Sequence, residues 1–400
     1  MSEALFSDLK VIDMSSWIAA PVASTMLADY GAQVIKIEPP GMGDGYRLYA
    51  SMASAPKSDI NYTWHMDNRN KRGLTLNLKH EEGREILSRL VRESDVFITN
   101  LTHPKRREWS LGYDDLAALN PSLIYASLTA YGEQGPERDR EGFDLVAHWS
   151  RSGMMGLVRT EDAPPSPCLP GMGDHPTGVS LYAAIVTAVV RRLKTGEGSH
   201  VHTSLLANGL WSASCVAQAA FVGADFSHYY RARKNVFTRF VYQTADERWL
   251  QFSMVRTDAE VAGLLAVLGH EALLEDERFA TLESRFAYGD VLFELLAPTL
   301  AAQTAAYWME RFAGAGVPVA LVGDIEDLPH DPQVIENAMT LEGSSALGFE
   351  GVIRHPLNVE GLTSAQVKPA PELGEHNSEI LRELGYDTAS IAALRDGGVI

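Results

Sequence analysis

Leu9-Lys10-Val11-Ile12-Asp13 is a short apolar run that closes on an acid, and Val34, Ile35 and Ile37 form a second β-rich run downstream of it. Between them, Val22 to Tyr30 reads as a helix, with Pro21 suited to its first turn and Gly31 just past its end. Strand, crossover helix and strand in that order predict a parallel pair. The alternation continues outward. Ile86, Leu87, Leu90 and Val91 share one helical face, Asp95 to Thr99 is the next strand, and a helix near Asp114 to Leu119 precedes a strand from Leu123 to Thr129. Repeated units of this kind predict an α/β fold, a Rossmann-like large domain of parallel strands and helices.

The pattern changes after about Val222. Phe240 to Thr244 and Trp249 to Phe252 predict a hairpin turned through Asp246 and Glu247, alanine- and leucine-rich helices follow through Ala313, and Val317 to Val322 reads as a strand. Residues 226–330 are therefore expected to form a smaller α+β domain beside a large domain of residues 1–225. Residues 331–400, with a helix from Glu379 to Leu384, are expected to pack back on the large domain.

The bulk composition narrows the function classes. In 400 residues, 46% hydrophobic content supports a large packed core rather than disorder. With 52 acidic and 34 basic residues the formal charge is -18, which repels phosphate backbones and anionic lipid and argues against nucleic acid or a membrane surface as a partner. Cys168 and Cys215 make no metal or disulfide spacing and are expected to be reduced thiols. The first eight residues lack the basic start and apolar core of a signal peptide, and the apolar stretch Ala183 to Val190 is too short to span a bilayer. A cytoplasmic protein is the expectation.

Several segments carry chemistry. Pro170-Gly171-Met172-Gly173-Asp174-His175-Pro176-Thr177-Gly178 precedes a helix predicted over Ser180 to Leu193. Asp174 reads in two ways. It is an N-cap with Pro176 in the first turn, or a carboxylate, ionised at neutral pH, that attacks a carbonyl without a general base. Gly41-Met42-Gly43-Asp44-Gly45 lacks the Walker lysine and the dinucleotide glycine spacing, and reads as a flexible turn. Asn68-Arg69-Asn70-Lys71-Arg72-Gly73 and Lys105-Arg106-Arg107 are cationic clusters able to grip phosphates, or solvated loops. His200 and His202 share a strand face without a third ligand, so no metal site is expected, and His148 reads as a hydrogen-bonded, partly buried histidine.

Taken together, the ordered segments resemble the family III CoA-transferases. The resemblance runs from about Leu9 to Leu384. It includes Leu9 to Asp13, Ile18-Ala19-Ala20-Pro21, Gly31 to Glu38, Asn70-Lys71-Arg72-Gly73 and Asn100. It continues through Thr129-Ala130-Tyr131-Gly132, Gly142-Phe143-Asp144, Gly173-Asp174-His175, Gly316-Val317-Pro318-Val319 and Leu373-Gly374-Glu375-His376. The segment from Phe143 to Gly153 and the Gly-Asp-His motif look nearest the phenyllactate and 2-hydroxyisocaproate branch.

This resemblance implies that Asp174 is a nucleophile carrying CoA from an acyl-CoA to a carboxylic acid through mixed anhydrides and an aspartyl-CoA thioester. It implies CoA contacts from Ser16, Trp17, Ile18 and Ala19 in the loop after the first strand, from Lys71, Arg72, Asn100 and Tyr131, and from Arg106 or Arg107 before Leu111-Gly112. It also implies an interlocked homodimer. Two departures stand out. Phe143 occupies the position where racemases of this superfamily carry histidine, and no counterpart exists to the glycine run of formyl-CoA transferases. A racemase or isomerase of acyl-CoA esters, and a non-catalytic acyl-CoA-binding protein, are the alternatives.

Overall fold

A computed structural model of the chain describes residues 4–159, 163–227, 229, 237, 240–253, 255, 257–343, 348, 351–362 and 365–400. The extreme N-terminal residues read above for a signal peptide, and part of the stretch where the smaller domain was expected to begin, lie outside them. The chain divides into two compact units. One comprises Met1–Val158, Ser166–Ala217 and Glu336–Ile400, the other Arg159–Pro165 and Gln218–Ile335.

The first unit is built on six strands: β1 (Lys10–Met14), β2 (Gln33–Glu38), β3 (Arg72–Thr75), β4 (Val96–Thr99), β5 (Ile124–Thr129) and β6 (Ser199–Ser204). They lie in the order β3-β2-β1-β4-β5-β6, and every neighbouring pair is parallel. The predicted parallel α/β layer is thus present. The chain winds from β1 outward to β3, then returns to lay β4 against the other side of β1, with Val11 opposite both Val34 and Val96. The connections leaving β1 and β4 therefore diverge, and such a reversal opens a crevice beyond the strands' C-terminal ends.

Both faces of the sheet are covered, which is why the strands read as continuous apolar runs. Successive residues feed opposite cores. Val11, Val96, Ile98, Ile124 and Ala126 pack on one side with α1 (Ala19–Asp29). Ile12, Phe97 and Tyr125 pack on the other with α3 (Glu81–Arg92), α2 being Tyr62–Asn68. The amphipathic α3 buries Ile86, Leu87, Leu90 and Val91 and carries Glu81 and Glu82 in its first turn and Arg89 and Arg92 in its last, as the helix dipole favours. Two short helices, α4 (His103–Glu108) and α5 (Tyr113–Leu119), follow β4.

After β5 come a π-helical turn (Leu145–Ser150), α6 (Met154–Leu157) and the 22-residue α7 (Asp174–Thr195), stopped by Gly196 in the left-handed region. The helix expected to begin at Ser180 therefore begins at Asp174. The helix expected at Val22 begins at Ala19, because its small first residues are fully buried under α7. At that crossing a Cβ on Gly178 would stand 2.6 Å from the Ala19 carbonyl oxygen, so only glycine lets the two helix starts approach this closely.

Charges buried inside the unit are paired. Asp13, at the end of β1, accepts from Lys71 Nζ at 2.9 Å, from Ser24 Oγ at 2.6 Å and from Ser15 Oγ. Burial alone would raise its carboxyl, but Lys36 and Lys71 with the two hydroxyls outweigh that and hold it well below the usual carboxylate range. Lys71 also donates to the carbonyls of Pro21 and Asp67 and to Asn68 Oδ1, tying β1, α1 and α2 together.

The C-terminal segment closes the β3 edge. His376 Nδ1 accepts from Gly73 N–H and Asn377 Oδ1 from Thr75 N–H, which satisfies donors an edge strand would otherwise expose. Ile380, Leu381 and Ile391 of the two last helices join the core under α3. In the second unit β7 (Val241–Gln243), β8 (Trp249–Phe252) and β9 (Val319–Leu321) form an antiparallel sheet with Glu247 at positive φ in the expected hairpin turn. Its core centres on Tyr242, Phe252, Leu264, Leu296 and Phe312.

Replacing Lys71 with Met should lower unfolding stability by about 3–5 kcal/mol, because it removes the bonded cation from a buried carboxylate. Arg72→Met, which removes pairs to the half-exposed Glu379 and Glu383, should lower it by only about 1 kcal/mol. Urea denaturation midpoints compare the two, and equal losses would show that the buried cluster is not what ties these elements together.

Candidate active site

The crevice at the sheet's switch point holds a cavity of about 290 Å³. Ser16, Trp17 and Ala19 line it from the β1–α1 loop, Asn100, Leu101 and Lys105 from the chain after β4. Arg138, Arg140 and Phe143 line it from the segment after β5, and Asp174 from the start of α7. The close α1–α7 crossing at Gly178 is what brings Asp174 beside the β1–α1 loop.

That loop is held rigidly. Trp17 adopts φ 65°, unusual for a residue with a Cβ, and its N–H donates to both carboxylate oxygens of Asp44 at 3.0 and 3.2 Å. Ser16 and Asn100 exchange two hydrogen bonds, N–H to Oδ1 at 3.0 Å and Nδ2 to the Ser16 carbonyl at 2.8 Å. Behind the loop, the buried Lys36 ammonium bridges Asp44 at 3.0 Å and the Ser15 carbonyl at 2.6 Å. The Gly41 to Gly45 segment begins in a turn, as expected, with Met42 exposed, and its Asp44 is anchored. Asp44 is 3% exposed and caps the following 3-10 turn through Tyr46 N–H. The Trp17 ring meets Phe143 edge-on at 5.4 Å and forms one wall of the cavity.

Asp174 is not a cap. The N-cap of α7 is Gly173, and the Asp174 carboxylate has no hydrogen-bond partner among the described residues. Burial first, and the nearby Asp144 carboxylate second, push its pKa up to about 7, against the lowering influence of His175. The sequence expectation of a fully ionised aspartate at neutral pH is corrected accordingly. Asp144 accepts from Leu145 N–H at 2.7 Å and from Gly173 N–H at 3.4 Å.

His175 Nδ1 faces the Gly171 carbonyl at 3.0 Å and Nε2 faces Asp67 Oδ1 at 3.2 Å. The glycines before Asp174 serve packing within the chain. Gly171 has φ 82° and abuts the His175 ring, and a Cβ on Gly173 would come within 2.6 Å of the His148 ring. His148 is buried and, as expected, its ring has a hydrogen-bond partner, the Leu205 backbone, while Nδ1 is unpartnered among the described residues.

Of the two cationic clusters, Lys105 alone is among the residues lining this cavity. Arg69 clasps Asp29, with Nη2 to Oδ2 at 2.6 Å, Lys71 is buried on Asp13, and Arg72 reaches the C-terminal helix. Arg106 is buried against Glu133 at 3.0 Å, with Ser127 Oγ on the same carboxylate at 2.6 Å, while Arg107 pairs with Asp139 at the surface. Of the side chains expected to contact CoA, Lys71 and Arg106 are thus held in buried pairs, while Arg72 and Arg107 sit in more exposed pairs and do not line this cavity.

The cations that line the cavity are Lys105, Arg138 and Arg140, each in an exposed pair with an acid, worth ~0–1 kcal/mol and open to exchange. Tyr131 stands next to the lining residue Ala130, with the Arg140 guanidinium 5.5 Å from its ring centre. Ile18 is buried at the start of α1. His200 and His202 share a strand face as expected, and no group of three metal-ligating side chains occurs among the described residues.

Asp44, Lys36 and Asp67 went unread in the sequence. Their signal was a charge inside an apolar run, since Lys36 interrupts Val34 to Ile37 and a charge so placed needs a buried partner.

A doubly wound α/β unit with a half-buried carboxylate and exposed cations at its switch point offers a site for an anionic ligand. Residues 6–377 match the family model of CoA-transferase family III, and the chain belongs to that family. It is 31% identical over 398 residues to (R)-2-hydroxy-4-methylpentanoate CoA-transferase of Clostridioides difficile, covering 99% of each chain. It is likewise 31% identical over 395 residues to cinnamoyl-CoA:phenyllactate CoA-transferase of Clostridium sporogenes, covering 98% of this chain and 96% of the other. A CAIB/BAIF family protein from Brucella suis superposes with a TM-score of 0.83 at 27% identity, over 96% of this chain and 100% of that one. The chain is an enzyme, a CoA-transferase that takes an acyl-CoA and passes CoA to a carboxylate. Among the described residues no helix is long and apolar enough to cross a membrane.

An aspartate whose pKa rises on folding destabilises the fold above its unfolded value of 3.8, and the penalty is complete above about 7. Asp174→Asn should therefore stabilise the protein at pH 8 by on the order of 1–3 kcal/mol, discounted for partial exposure. The gain should shrink as pH falls through 7 and vanish near pH 4. Thermal unfolding of both proteins across that range measures it, and a variant less stable at pH 8 would refute the electrostatic reading.

Proposed function

We propose that Asp174 is the nucleophile and that CoA is carried on its carboxylate. The observation that supports this reading is an aspartate at a helix start, without hydrogen-bond partners among the described residues, opening on a cavity rimmed by exchangeable cations. An Asp174 carboxylate oxygen attacks the acyl-CoA carbonyl, the C–S bond breaks, and CoA leaves as thiolate from a mixed anhydride. The thiolate attacks the Asp174 γ-carbon and the anhydride C–O bond breaks, which releases the donor acid as carboxylate and leaves an aspartyl-CoA thioester. The acceptor carboxylate then retraces these steps, and the last C–O cleavage restores Asp174.

Every nucleophile and leaving group in this sequence is an anion, so no general base is required, only an ionised Asp174 and a site without competing water. Lys105, Arg138 and Arg140 are the side chains proposed to hold the nucleotide phosphates, with Ser16, Trp17, Ala19 and Asn100 shaping the groove, and Tyr131 and Ile18 supporting it from behind. A racemase would need a proton carrier where Phe143 stands. The relatives' named acids suggest apolar hydroxy acids as substrates, and Trp17 with Phe143 supplies an apolar wall for such a body. An interlocked homodimer and a cytoplasmic location complete the proposal. Cys168 and Cys215 are free, as a reducing compartment requires.

Incubation with acyl-CoA should add a CoA-sized mass to the peptide bearing Asp174, and Asp174→Ala should lose both adduct and turnover by about a thousandfold or more. Transfer at full rate by that variant would end the proposal. Arg140→Gln should raise KM for the acyl-CoA about 5-fold, the worth of one charge-assisted contact of roughly 1 kcal/mol, with kcat little changed. An unchanged KM would move the phosphate site elsewhere.

A further inference from the structure

Three buried or half-buried groups form a chain that ends beside Asp174. Tyr46 O–H donates to Asp67 Oδ2 at 2.8 Å, and Asp67 Oδ1 stands 3.2 Å from His175 Nε2. Tyr46 is 1% exposed and Asp67 2%. The His175 side chain is 40% exposed and follows Asp174 directly in the first turn of α7.

The proton inventory of this chain is decided by its partners. The Gly171 carbonyl opposite Nδ1 can only accept. Asp67 takes the Tyr46 proton on one oxygen, and burial with the Asp67 charge holds that phenol well above its usual value, so Tyr46 stays the donor. The Lys71 ammonium is bonded to the Asp67 backbone carbonyl, which keeps a cation beside this residue. Both ring nitrogens of His175 then face acceptors and both must carry hydrogen.

A cation in a helix's first turn opposes the helix dipole, and an apolar pair of the same shape would serve stability as well. The arrangement therefore calls for a reason in the chemistry next to it. We propose that Asp67 is a positioning residue that fixes His175 as an imidazolium beside Asp174, so that the nucleophile is ionised and the charge developing on its carboxyl group is stabilised during transfer. This rests on Asp174 being the nucleophile.

The remaining charged neighbours are accounted for. Asp144 and, to a smaller extent, Asp67 itself oppose ionisation of Asp174, and the His175 charge, a larger influence than that of Asp67, works against them. Arg69 lines the apolar cavity on the far side of His175, but its guanidinium is held by Asp29 at 2.6 Å. Arg354 lines the same cavity, as does His355, whose ring burial keeps neutral. Asp67 is the carboxylate that bonds the His175 ring, and burial opposed by that bond leaves the ring with a pKa of about 9.

The test is the pH dependence of covalent CoA loading, measured with acyl-CoA alone. In the native enzyme loading should rise with a midpoint near the Asp174 value of about 7. In Asp67→Asn the midpoint should move up by about one unit. Loading should then fall several-fold at pH 7 and recover at pH 9, and Asp67→Glu should restore the native midpoint. His175→Gln, at a half-exposed position that tolerates substitution, should give the same shift even if Asp67→Asn folds poorly. Nitrogen NMR should show His175 doubly protonated at pH 8 in the native protein and neutral in Asp67→Asn. A uniform rate loss at every pH, or an unmoved midpoint in His175→Gln, overturns the inference while leaving the nucleophile intact. Loss of the adduct's dependence on Asp174 would instead overturn the reading beneath it.

Discussion

The Asp13 carboxylate, buried at the C-terminal end of β1 between two lysines, is the constraint on which the rest of this unit depends. A charge placed there must be fully partnered, and the partners come from separate elements: Lys36 on β2, Lys71 before β3, Ser24 on α1. Satisfying one group therefore fixes β1, β2, β3 and α1 relative to each other. Lys36 carries the constraint outward to Asp44, and Asp44 carries it to the backbone of Trp17. The cavity wall is thus the last link of an electrostatic chain that begins inside the sheet.

This explains a division of labour among the cations. Arg69, Lys71 and Arg106 are consumed in holding the fold, where a buried charge without its partner costs several kcal/mol. Those at the cavity sit in exposed pairs with acids next to them in the chain, such as Lys105 with Glu108 and Arg140 with Glu137. Such pairs are weak and exchangeable, which suits the phosphate-binding role proposed for them. An acidic protein can therefore bind an anionic substrate without a strongly basic field.

The same economy of placement governs Asp174. Its neighbours pull in opposite directions, Asp144 and burial toward the neutral form and His175 toward the ionised one. A carboxylate balanced near neutrality is a better nucleophile than one clamped far below it, since a strongly stabilised anion has little incentive to attack. Gly171, Gly173 and Gly178 let the backbone around Asp174 pack closely against His175, His148 and Ala19.

The alternation of apolar runs and amphipathic helices determined the parallel α/β layer, because a strand buried on both faces and a helix buried on one each leave a periodic record in the chain. The Gly-Asp-His motif singled out Asp174, and a recognisable order of segments singled out the β1–α1 loop and Asn100, all of which line one cavity. The role of each arginine and lysine was not legible, since a cation's partner is set by which elements the fold brings within 3 Å. Lys71 and Asp13 meet across 58 residues of chain and Asp67 and His175 across 108. A run of positive charge looks the same in sequence whether it faces solvent, a phosphate or a buried acid, and only the packing of β1, α1, α2 and α7 decided among them.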